Sequence, residues 1–146
     1  MIRQDDPRLL GNPNIKEYGC VLFCYLYFAN KLVNAQMGIS EILSYVTEFQ
    51  SKGWIDNEMT INQPDLILER LGVQEAQIVR AAPATYVCQE GEYEICTWGY
   101  TDMNGKWWEH AIAGTGNGGQ AFDPLGRSHC GRLGKIVTKR IISVAD

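Results

Sequence analysis

The chain is 146 residues long, which gives one domain over 1–146 room for a buried core and leaves too little for two. Hydrophobic residues at 45% and charged residues at 21% are the proportions of a soluble globular domain. A net charge of −4 and a pI near 5.2 argue against nucleic acid as a main partner, because phosphate binding needs a positive surface.

The chain begins MIRQDDPRLLGNPN, without the apolar segment of a signal peptide. The longest apolar run lies within residues 18–29, well short of the roughly 20 residues of a membrane span. The expectation is a protein that is soluble and cytoplasmic where it is made, without a membrane partner. If it acts on a cell wall or a host target, release or injection by other machinery must carry it there.

Residues 20–33 predict a helix apolar on every face, and such helices are buried on all sides. Gly19 and Asn34 bound it. A second helix is predicted over 40–51, with Ser40 as N-cap, Gly53 beyond its end, and Ile42, Leu43, Val46 and Phe49 on one face. A third is predicted over 64–71, from Pro64 to the stop at Gly72. Strands follow at 76–81, 93–100, 107–114, 119–123 and 135–144. Asn104-Gly105 is a hairpin turn between the second and third strands, and Gly114–Gly119 is a turn between the third and fourth. No strand-loop-helix surrounds those glycines, so a phosphate-binding loop is not indicated. Helices first and an antiparallel meander afterwards make an α+β layout. Arg127, Arg132, Lys135, Lys139 and Arg140 read as a solvated basic stretch along the last strand.

Five cysteines, at 20, 24, 88, 96 and 130, are odd in number and irregular in spacing, so no disulfide framework is implied. Cys20 and Cys24 stand four apart, but no second close Cys or His pair completes a zinc pattern. No metal or cofactor is expected.

There are two histidines. His129 neighbours Cys130, but adjacent residues point apart. His110 lies in WWEHAIA on the third strand, thirteen residues before Asp123. In a hairpin centred on Gly116-Asn117, His110 and Asp123 are opposite one another on the same face, Cβ atoms about 4.5–5.5 Å apart. That spacing lets a carboxylate orient an imidazole. Cys20 opens the buried helix, where the helix N-terminus favours a thiolate. Cys20, His110 and Asp123 therefore form a candidate triad of nucleophile, general base and acid, and orienting carboxylate. Cys24 reads as core, and Cys88, Cys96 and Cys130 have no base assigned.

The order Gly19-Cys20, then Trp108-Glu109-His110, then Asp123-Pro124-Leu125 resembles the papain-like cysteine peptidases of the bacterial bacteriocin-leader-peptidase-like group. It spans about residues 14–126. NlpC-type peptidoglycan peptidases share that core and chain order. The resemblance implies a papain-like fold, helices packed on a C-terminal antiparallel sheet. It implies a cysteine hydrolase that cleaves an amide bond in a peptide or in the peptide part of peptidoglycan, through an acyl-thioester. A phage lysin, an injected effector and an intracellular peptidase are all compatible. The family carries a glutamine before the cysteine as an oxyanion donor; here the candidates are Asn14, six residues before Cys20, and Gln4, sixteen before. The backbone N–H of Cys20 is a further donor. Trp107 and Trp108 are either core or walls of a substrate cleft. Alternative readings are a glutamine deamidase or transferase with the same triad, and a non-catalytic binding or inhibitory module.

Overall fold

In the computed structural model, which describes residues 1–74 and 76–144, the chain opens with a 3-10 turn at Pro7–Leu9 and a short helix α1, Pro13–Tyr18. Both are additional to the sequence-based expectation. Each begins with proline, whose fixed φ suits a first helical position, and Asp6 caps the turn by accepting from the Arg8 N–H.

Helix α2, Cys20–Val33, follows α1 with only Gly19 between them. The Gly19 N–H donates to Ile15 O at 2.9 Å, and a Cβ at Gly19 would run into that same carbonyl. Only glycine lets one helix end and the next begin in so little chain. At the far end Asn34 adopts φ 58° and returns its N–H to Asn30 O at 3.0 Å. Leu22, Phe23, Cys24, Tyr25, Leu26, Phe28 and Ala29 are all buried, as an all-round apolar helix requires. Full burial of a side chain such as Phe23 contributes about 1.5–3 kcal/mol.

Helix α3, Ile39–Ser51, starts one residue earlier than its sequence signal. Gly38 holds the N-cap position, and the Ser40 hydroxyl pairs with Glu41 Oε2 instead of capping. Ile42, Val46 and Phe49 face the core beside Ile67 and Leu68 of α4, Pro64–Arg70.

Five strands build one antiparallel sheet: β1 Ala76–Pro83, β2 Glu92–Thr101, β3 Trp107–Gly114, β4 Gln120–Phe122 and β5 Lys135–Val144. A short helix α5, His129–Leu133, lies between β4 and β5. The spatial order is β1-β5-β2-β3-β4, so the strands do not form the expected simple meander. The last strand inserts between the first two. Ile141 and Ile142 are adjacent in β5 and both fully buried, so each face of the sheet is covered there, as an interior strand demands. The fold is α+β, with α2 laid on the face that carries Ile95, Ala111, Ala113 and Ile142.

Lys139 departs from the solvated-strand expectation. It is buried, and its ammonium donates to Glu94 Oε1 and Tyr86 O, each at 2.8 Å. A strand alternates its faces, so one lysine of a basic run can point inward when a carboxylate waits for it. No helix among the described residues is long and apolar enough to cross a membrane.

Candidate functional site

Strand β4 is short. It pairs with β3 only at Ala113 and Gly114, so the outer edge of β3 is open from Ile112 back to its start. The tip of α2 fills that opening. The Cys20 sulfur lies beside the His110 imidazole and close to the backbone N–H groups of Ala111 and Val21, all of which favour its thiolate. The thiol is half-buried, while His110 and Asp123 are 7% and 8% exposed.

His110 Nε2 and Asp123 Oδ1 are 2.7 Å apart. The route to this contact differs from the expected register. Ala113 pairs with Phe122, and a bulge separates this pair from Gly114 opposite Gln120. Continuing the ladder puts Asp123 opposite Ile112, so His110 is its diagonal neighbour two residues along. Face is preserved, which is why the bond forms. The shift arises in the 115–119 loop. Glu94 Oε2 accepts from the N–H groups of Gly116 and Gly118 at 3.0 and 2.9 Å, while its other oxygen takes Lys139. The loop is thereby pinned to β2 and the start of β4 is offset.

Asp123 is held by four hydrogen bonds. Oδ1 accepts from His110 and from the Leu125 N–H at 2.9 Å; Oδ2 accepts from the Ser128 N–H at 2.9 Å and its hydroxyl at 2.7 Å. Ser128 also caps α5, accepting from the Gly131 N–H at 3.1 Å. Sequence reasoning missed Ser128. The signal was present, since Ser128 stands immediately before His129, where α5 begins, and serine is a favoured N-cap. From the other side, the Gln4 N–H donates to Pro124 O at 2.9 Å, and Tyr27 stacks on Phe122 with centroids 5.1 Å apart. The carboxylate thus sits on a loop braced by α2, α5 and the N-terminal segment.

These contacts set the electrostatics. Burial works against the Cys20 thiolate, but the hydrogen bond and charge of His110 and the two backbone N–H groups outweigh it, and the thiol falls below its ordinary value. Burial likewise opposes a charged His110, yet Asp123 and Cys20 carry its pKa up to about 9. Asp123 overcomes its own burial through His110, Ser128 and Leu125 and lies well below the usual carboxylate range. Both shifts run in the direction of a thiolate–imidazolium pair. The other cysteines move the opposite way. Burial pushes Cys24 far up, Cys88 to about 11, Cys96 to about 12, and raises Cys130. All five thiols are free.

Asn14 and Gln4 have other partners than an oxyanion. The Asn14 amide donates to Asn57 O at 2.8 Å. The Gln4 amide is buried and donates to Lys16 O at 2.8 Å and Ile15 O at 3.5 Å, because the N-terminal segment packs under α1. Cys20 is the first residue of α2, so its own N–H has no acceptor within the helix.

Trp107 and Trp108 are not core; they are 50% and 44% exposed. Alternation puts them on opposite faces of β3. Trp107 shares a face with Ala111, lies over Gly99, and donates from Nε1 to Glu109 Oε1 at 3.0 Å. Trp108 donates to Asp102 Oδ2 at 2.9 Å in the β2–β3 hairpin, with Lys106 over its ring. His129 is exposed and meets the Tyr100 hydroxyl at 3.4 Å, whereas Cys130 turns inward. A surface cavity of about 820 Å³ opens beside Met1, Arg3, Asp6, Arg8 and Met37, and Cys20 does not line it. Among the described residues no three Cys, His, Asp or Glu side chains gather to hold a metal ion.

No curated protein and no solved structure matches this chain. One family does, over residues 1–144, nearly the whole length, and its description is "Protein of unknown function, DUF261". With that extent of match the chain belongs to the DUF261 family.

Proposed function

We propose that the protein is a cysteine hydrolase of papain-like architecture, acting on an amide bond of a peptide or of the peptide part of peptidoglycan. One observation carries the reading: of five thiols, the single one with a lowered pKa sits at a helix tip against a histidine whose other side is bonded to a buried aspartate. A structural thiol in an apolar setting is raised instead, as the other four are.

Each residue has a role. Nε2 of His110 is engaged with Asp123, which leaves Nδ1 for the thiol. The Cys20 thiolate attacks the carbonyl carbon and forms a C–S bond. The C–N bond then breaks, and the leaving amine takes its proton from the His110 imidazolium. Water, giving a proton back to His110, attacks the thioester, and the acid departs from the regenerated thiolate. Asp123 fixes the ring and its tautomer. Developing negative charge on the carbonyl oxygen meets the Cys20 N–H and the positive end of α2. Trp107, on the Ala111 face, is suited to form a wall for the substrate chain.

The test is substrate-free. Alkylation of each cysteine is followed against pH by mass spectrometry in the native protein and in His110→Ala. Cys20 should outpace the other four below about pH 7 and lose its lead in the variant. A protected Cys20, or one that titrates like a free thiol near 8.5, removes the hydrolase reading.

A further inference from the structure

We infer that Gln4 is a positioning residue of the thiol site, resting on the hydrolase reading: it takes the Lys16 carbonyl so that the Cys20 N–H stays free for the reacting oxygen. Lys16 O stands one helical turn before Cys20. Were α1 to continue unbroken, that carbonyl would accept the Cys20 N–H, as Ile15 O accepts the Gly19 N–H at 2.9 Å. It accepts the Gln4 amide instead, at 2.8 Å.

Two further observations point the same way. Gln4 is 2% exposed, so its side chain is shut away from any substrate and serves through what it touches. Its Oε1 is buried with no hydrogen-bond partner, while its NH₂ group is fully used. An unmatched buried acceptor is unfavourable, so the half of the amide in service is the donor half. The backbone of Gln4 also holds Pro124 O, one residue past Asp123. One residue therefore braces the carboxylate loop with its main chain and the helix junction with its side chain. Asn14, closer in sequence, does neither; its amide goes to Asn57.

The probes are iodoacetamide and p-nitrophenyl acetate. Alkylation displaces iodide from an sp³ carbon and builds no oxyanion. With the ester, the thiolate attacks the carbonyl, an oxyanion forms, and the C–O bond breaks to release p-nitrophenolate and leave an acetyl-thioester. In Gln4→Met, Cys20 alkylation at pH 7 should stay within about twofold, because His110 and Asp123 are untouched, while acetylation falls about a hundredfold, the usual size of one lost oxyanion donor. Equal falls in both rates, or no fall in either, overturn the inference. Wild-type Cys20 inert to both reagents overturns the hydrolase reading and this inference with it, an outcome read without any variant. If Gln4→Met does not fold, amide hydrogen exchange in the wild-type protein decides. The Cys20 N–H should exchange freely in the resting state and become protected in the acetyl-enzyme. Protection already present in the resting state overturns the inference.

Discussion

His110 and Asp123 meet at 2.7 Å as diagonal neighbours, although Asp123 lies opposite Ile112 in the continued ladder. Their contact depends on a bulge and a pinned loop as well as on the strands themselves. Together with Cys20, the bond carries His110 up to about 9 against its burial, so removing the carboxylate charge has a defined effect. Asp123→Asn should bring His110 down toward the ordinary value of about 6.5, and each pH unit lost is about tenfold in the imidazolium population above it. Cys20 alkylation at pH 8 should drop accordingly, and less so at pH 6. A His110 titration followed by NMR, unchanged in the variant, would refute this account.

Stability should follow acid in a stated direction. Asp123 has a folded-state pKa below its unfolded value of about 3.9, so its contribution is fully present above that unfolded value. It is lost as pH falls through the depressed folded value. His110, raised to about 9, adds stability that is full below about 6.5 and fades as pH rises toward 9, so the gap between wild type and Asp123→Asn should be widest between about pH 4 and 6.5 and shrink progressively below about pH 4. Urea unfolding at several pH values measures it. A gap that widens below about pH 4 contradicts the assignment.

Ser128→Ala should lose both the Asp123 bond and the α5 cap, while the Ser128 N–H keeps its grip on Oδ2. A destabilisation of about 1–2 kcal/mol is expected in urea titration. Cys20 alkylation should slow only modestly, since three of the four bonds to Asp123 survive. A loss as large as that of Asp123→Asn would mean that the hydroxyl, not the loop backbone, sets the carboxylate.

Glu94 and Lys139 make a buried pair at 2.8 Å, 0% and 2% exposed. Lys139→Met leaves the carboxylate without its cation and should destabilise by about 3–5 kcal/mol. Glu94→Gln should cost a similar amount. Combining Glu94→Leu with Lys139→Met is not the remedy that an apolar replacement is for an isolated pair, because the Gly116 and Gly118 N–H groups then lose their acceptor. The double variant should thus remain destabilised, with slower Cys20 alkylation as the loop and Asp123 relax. Recovery to wild-type stability in the double variant would show that the loop does not need Glu94.

Much of the architecture was legible where local signals are strong. The apolar run after Gly19 reads as α2 because no polar face interrupts it, and Asn34 marks its end by tolerating a positive φ. The β3 limits follow from Asn104-Gly105 and Gly114. The insertion of β5 between β1 and β2 was not legible, because strand order depends on which edges meet and not on periodicity. Helices α1 and α5 escaped because a six- or five-residue segment shows barely more than one turn of pattern. At the site, spacing brought His110 and Asp123 together with the right face and the wrong register. Ser128 and Glu94 could not be found that way. Their partners are a carboxylate and two glycine amides that come near only after the chain folds.

The 115–119 loop touches no reacting atom, yet it behaves as a ruler. With β3 fixed, removing one residue there slides β4 by one position, and a one-residue slide exchanges the faces of a strand. Phe122 would leave Tyr27, and Asp123 would turn away from His110. Substitutions within the loop leave that distance intact so long as the backbone N–H groups at 116 and 118 still reach Glu94. Insertions and deletions do not. Across related chains, then, a fixed length between Gly114 and Gln120 is the mark to look for in those that keep the site, and a changed length is the mark of those that have let it go.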